Sequence, residues 1–73
     1  MPIPPTARQM ADDIAERIRR GEYSPGTKLP PARELADLYA VSLSTAQRVQ
    51  LILKERGLVV GRQGDGVYVA EGR

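Results

Sequence analysis

Gln47 and Arg48, one turn beyond the hydroxyls of Ser42, Ser44 and Thr45, are the side chains of this sequence best suited to engage another molecule. A glutamine amide can satisfy the donor and acceptor of an adenine edge together, and an arginine can take a guanine edge or a phosphate. Serine and threonine hydroxyls reach either a base or a backbone oxygen, and Leu43 among them offers apolar contact to a thymine methyl. Each good bidentate base contact is worth about 1–3 kcal/mol of discrimination. Two more groups belong to the same chemistry. Arg33 can grip a phosphate or pair with Asp37 four residues on. Arg62 and Gly64 lie in a glycine-rich stretch, where a missing side chain allows close approach to a sugar-phosphate ridge or a minor groove. The plain alternatives are a solvated helix face for Ser44 to Arg48, an intrahelical ion pair for Arg33, and nothing beyond a turn for Gly64 and Gly66.

Other chemistries find little support. The 73 residues include no cysteine and no histidine, which removes a disulfide framework and metal sites built on thiolate or imidazole. No loop has the ligand spacing of a calcium site, so neither a metal nor a cofactor is expected. Carboxylates are scattered over helix faces, and the stretch from Gly61 to Gly66 lacks the Gly-Lys-Ser/Thr ending of a phosphate-binding loop, so enzymatic activity is not expected. No apolar run approaches the roughly 20 residues of a membrane span, and no signal peptide is expected from the residues at hand. The cytoplasm, in association with the nucleoid, is the expected location. Eleven basic residues against nine acidic ones give a net charge of +2, a balance that permits an anionic partner. A chain this short holds one small domain with a total stability of roughly 4–11 kcal/mol.

The candidate residues need elements to position them. Residues 1–5, with three prolines, read as an extended arm. Thr6-Ala7-Arg8-Gln9 fits a capping box, and Ala7, Met10, Ala11, Ile14 and Ile18 form one apolar stripe of a helix that ends at Gly21. Ser24-Pro25-Gly26-Thr27 predicts a type II turn, and Lys28-Leu29 a single strand step before Pro30-Pro31. A second helix carries Ala32, Leu35, Ala36 and Tyr39 on one face and stops near Ala40 to Ser42. Ser42 or Ser44 caps a third, with Ala46, Val49, Leu53 and Ile52 facing inward. Ser44, Gln47, Arg48, Leu51 and Glu55 then face outward, and Gly57 ends the helix. Leu58 to Val60 and Val67 to Val69 read as strands joined by a loop over Gly61 to Gly66, with Asp65-Gly66 as its turn signal. The expected organisation is an arm over 1–5, a domain over 6–70 and a tail over 71–73. The fold class is small α+β: a winged helix-turn-helix of three helices with a C-terminal β-hairpin wing.

At this point the sequence resembles a known family. Gly21 to Pro30, Arg33-Glu34-Leu35-Ala36, Val41-Ser42, Thr45, Gly57-Leu58-Val59 and Gln63 to Val69 are similar to the N-terminal domain of the GntR-type bacterial transcription regulators, over about residues 7 to 70. The resemblance implies a sequence-specific transcription regulator, most often a repressor, with helix three in the major groove and the wing on the minor groove or backbone. It implies a double-stranded operator, usually an inverted repeat, bound by a homodimer, and marks Arg33 as a DNA contact. Arg33, Ser42, Leu43, Ser44, Thr45, Gln47, Arg48, Arg62 and Gly64 are therefore the expected DNA-binding residues. A small-molecule effector is expected only if a C-terminal domain exists beyond this chain.

The sequence also departs from the family pattern. Arginine is usual where Leu43 and Gln47 stand and commonly reads the guanines of a GT/AC half-site, so a different operator is expected. Asp65 replaces a frequently basic wing residue, and unless turned away it would repel phosphate and flatten the salt dependence of binding. Pro31 stands for a serine cap, Ala40 for a corner glycine, and Gln50 for an apolar residue. Leu43, Leu51 and Asp65 motivate an alternative in which the winged helix binds a protein. A small plasmid or phage accessory factor that bends DNA is another.

Overall fold

The computed structural model describes residues 6–71, so the expected arm over residues 1–5 and the last two tail residues lie outside them. Three helices, α1 (Ala7–Arg19), α2 (Ala32–Tyr39) and α3 (Leu43–Glu55), are followed by strands β1 (Val59–Arg62) and β2 (Gly66–Val69). This is the expected winged helix-turn-helix.

Local sequence accounts for most of the boundaries. The Thr6 hydroxyl accepts from the Gln9 N–H at 3.1 Å while the Gln9 side chain accepts from the Thr6 N–H at 2.9 Å, closing the capping box. Ser42, rather than Ser44, caps α3 by accepting from the Thr45 N–H at 3.2 Å. Pro31 begins α2 with no side-chain cap, contributing only its carbonyl to the Leu35 N–H. All three helices end on the same doubled bond, a six-to-one pair closed over a five-to-two pair: Glu22 to Arg17 over Gly21 to Ile18, Val41 to Ala36 over Ala40 to Asp37, and Leu58 to Leu53 over Gly57 to Lys54. The pivot must be left-handed. Gly21 (φ 89°) and Gly57 (φ 76°) adopt that conformation freely, whereas Ala40 holds it at φ 56°, ψ 47° against its own Cβ.

The core forms where these elements meet. Met10, Ala11 and Ile14 of α1, Leu35 and Ala36 of α2, and Ala46, Val49 and Leu53 of α3 enclose Leu29, Val59 and Val69. Ile18, Tyr39 and Ile52 pack against this cluster half-buried, completing the expected apolar faces. α3 is the central element, in contact with α1, α2 and β1. Tyr39 also ties α2 to α1, its hydroxyl donating to Asp13 Oδ2 at 2.7 Å, with Arg17 Nε bonded to the same oxygen at 3.1 Å.

The hairpin differs from expectation. β1 and β2 pair antiparallel in the register Val59↔Val69, Val60↔Tyr68, Gly61↔Val67 and Arg62↔Gly66, which leaves a loop of Gln63, Gly64 and Asp65 only. The turn closes where the Asp65 N–H donates to the Arg62 carbonyl, with Gly64 at φ 76°. Gly61 therefore lies within a strand without a positive φ, and Asp65-Gly66 is not the centre of the turn. Cross-strand pairing extends further than β-propensity alone suggested. The Lys28-Leu29 step forms as read: Leu29 N–H donates to the Val67 carbonyl and Val69 N–H to the Thr27 carbonyl, each at 2.8 Å, joining Lys28 to β2 opposite Tyr68.

Candidate nucleic-acid interface

The outward face of α3 begins at a cluster of hydroxyls. Ser42 Oγ lies 2.9 Å from Thr45 Oγ1 and 3.1 Å from Ser44 Oγ, so the cap also orients the two hydroxyls behind it. Ser42 and Ser44 are exposed and Thr45 half-buried, while Leu43 keeps 45% of its surface open to solvent. One turn on, Gln47 and Arg48 are exposed, and neither has a side-chain hydrogen bond or ion pair among the described residues. Of the residues from Ser42 to Arg48, only Ala46 is buried.

Arg33 and the wing lie on other elements. Arg33 is exposed in the first turn of α2 and makes no ion pair with Asp37. That turn abuts the middle of α3, where half-buried Gln50 reaches the Pro30 carbonyl at 3.5 Å. Gln50 is thereby accommodated at a position suited to an apolar side chain, and Leu51 beside it stays 55% exposed. On the wing, Gly64 forms the tip of the turn and Arg62 stands over the Tyr68 ring, 4.6 Å from its centroid. The sequence-predicted residues therefore divide among three places: the N-terminal half of α3, the start of α2, and the wing.

Ion pairs are concentrated around α1. Asp12, Asp13, Glu16 and Glu22 are each paired with arginine, through Arg56, Arg17, Arg19 and the Arg17–Arg20 pair respectively. Arg33, Arg48 and Arg62 have no such partner among the described residues, and neither do Glu34 and Asp37 of α2 or Glu55 of α3. Asp65 is not a free anion at the wing tip. Its Oδ2 accepts from the Tyr68 hydroxyl at 2.7 Å and its Oδ1 lies 3.8 Å from Lys28 Nζ. The same bond, with some burial, raises the Tyr68 hydroxyl above the ordinary tyrosine value. Sequence reading missed Lys28 and Tyr68 as the groups holding Asp65, because their meeting depends on the pairing of Lys28 with β2.

An α-helix with a polar, unpartnered N-terminal face has the width of a B-DNA major groove, and a hairpin with a cation and a glycine tip suits the adjoining minor groove or backbone. Comparison with known proteins agrees with this architecture. Residues 6–69 match the family model described as bacterial regulatory proteins, gntR family. The chain is 40% identical over 67 residues to YhcF, an uncharacterized HTH-type transcriptional regulator of Bacillus subtilis, covering 92% of this chain and 55% of that protein. It is 41% identical over 69 residues to MngR of Escherichia coli, the mannosyl-D-glycerate transport/metabolism system repressor, covering 94% of this chain and 29% of that one. The chain spans between 13% and 55% of the length of the curated relatives it matches. Among solved structures, the DNA-binding domain of AraR in complex with operator ORX1 superimposes with a TM-score of 0.84 at 31% identity, covering 93% of this chain and 82% of that one. With the family match extending over nearly its whole length, the chain belongs to the gntR family of bacterial regulatory proteins.

Proposed function

We propose that this chain is the operator-reading domain of a repressor, docking α3 in the major groove and the hairpin on the adjacent minor groove or backbone. The carrying observation is the α3 face on which Gln47 and Arg48 stand exposed without partners beside the Ser42–Ser44–Thr45 hydroxyl cluster. Gln47 and Arg48 contact bases, Leu43 a thymine methyl, and Ser42, Ser44 and Thr45 bases or backbone oxygens. Arg33, Arg62 and the Gly64 backbone contact the sugar-phosphate chain. The AraR domain bound to its operator supports this reading by its likeness of fold. A homodimer on an inverted repeat follows if two copies read two half-sites, and its place of action is then the nucleoid. Any small-molecule effector would belong to sequence outside this chain.

Selection from a random duplex library at about 150 mM salt tests the reading. Enrichment of an inverted repeat is expected, with adenine at a symmetric position in each half-site. Failure of the folded protein to enrich any sequence would count against it. A second reading, a protein-binding winged helix, is favoured by Leu51, 55% exposed beside Gln47. In that case Leu51→Asp abolishes partner binding, whereas Arg33→Ala and Gln47→Ala leave it unchanged.

A further inference from the structure

A protein that places a helix in a major groove and a hairpin in the next minor groove straddles the phosphodiester strand between them. That strand must pass through the notch between helix and hairpin. Here the notch lies between the C-terminal half of α3 and the wing, lined by Lys54, Val67 and the hairpin stretch from Gly61 to Gly64 with Gly66, Arg62 among them. Lys54 follows Gln47 by seven residues, which brings it back to nearly the same line of the helix after about two turns. Its side chain lies across β1. Nζ and Cε are 3.1 and 3.2 Å from the position that a Cβ on Gly61 would occupy.

Gly61 has no positive φ, so its backbone does not call for glycine. What the missing side chain provides is room for the lysine. Lys54 is exposed and has no ion pair among the described residues, and neighbouring Glu55 projects about 100° away around the helix. Strand alternation turns Arg62 to the opposite face of the hairpin, where it stands over Tyr68. An unpaired cation thus lies on each face of the wing, Lys54 from α3 on one and Arg62 of β1 on the other. A hairpin entering a groove between two phosphate ridges meets one ridge on each side, and each cation has an anion to face.

We propose that Lys54, lying in the space left by Gly61, is the seat of one DNA backbone phosphate on the strand straddled by α3 and the wing, a contact that rests on the DNA-reading function proposed above. It is a positioning contact, indifferent to base sequence.

The test uses the duplex that the wild-type protein enriches from a random library. Wild type, Lys54→Gln, Lys54→Arg, Gly61→Val and the Lys54→Gln/Gly61→Val double variant, each checked by circular dichroism, are titrated by fluorescence anisotropy between about 50 and 200 mM salt. Lys54→Gln is expected to weaken binding about five- to tenfold, to reduce the steepness of log K against log salt by about 0.9, and to leave the preferred sequence unchanged. Lys54→Arg keeps the slope. Gly61→Val behaves like Lys54→Gln, and the double variant is no weaker than Lys54→Gln alone. A wild-type slope for Lys54→Gln, or a changed base preference, overturns the phosphate seat while leaving DNA reading intact. A wild-type protein that enriches no duplex removes the DNA reading itself.

Discussion

Gln47 carries an amide that only certain base edges satisfy, whereas Arg33 carries a charge that any phosphate satisfies. Substituting them should therefore fail differently. Gln47→Ala is expected to weaken binding to the enriched duplex by about 1–3 kcal/mol and to relax the requirement at one base position, with little change in salt dependence. Arg33→Ala should weaken all duplexes alike and lower the salt slope by about 1, as anisotropy titrations against matched and mutated sites would show. The exposure of both residues was legible in the sequence, because the face a residue takes on a helix follows from its spacing. The state of Asp65 was not. Its carboxylate is held by Tyr68 across the turn and by Lys28 from a segment that reaches β2 only in the folded chain.

At the scale of elements, the turn between α2 and α3 contains a strain that a single substitution relieves. Ala40 is left-handed at the pivot where α1 and α3 use glycine. Ala40→Gly is expected to raise stability by about 1 kcal/mol, read as a higher urea midpoint with an unchanged m-value. The α1–α2 contact should be sensitive to pH at both extremes. Burial, then the bond to Asp13, pushes the Tyr39 hydroxyl up to about 12, so the folded protein holds that proton more tightly than the unfolded chain. The contribution is complete below pH 10 and is lost as pH rises through about 12. The Tyr39 hydrogen bond, ahead of Arg17, holds the Asp13 carboxyl below its ordinary value, giving stability above that value that is lost as pH falls through the depressed one. Tyr39→Phe should cost about 1 kcal/mol at neutral pH and flatten the alkaline limb of stability measured by denaturation. Helix starts and stops were readable because capping boxes and glycine pivots are short-range signals. The hairpin loop was read too long because its register is decided by cross-strand pairs, including Gly61↔Val67, and by the Lys28 bridge.

For the molecule as a whole, the core is small and shared. Leu53 is fully buried on α3, the element in contact with both other helices and with β1. Leu53→Ala should cost about 2–5 kcal/mol, a large share of a total of roughly 4–11 kcal/mol, and circular dichroism is expected to show a much lower unfolding temperature. That dependence bears on the candidate site: α3 buries one face to complete the core and presents the other, fixed in orientation, to solvent. The most direct test of that assignment is a second library selection with Gln47→Arg. If α3 reads bases through this position, adenine gives way to guanine at one symmetric place in each half-site and the rest of the enriched sequence is retained. An enriched sequence identical to that of the wild type would contradict the assignment of the α3 face as the reader.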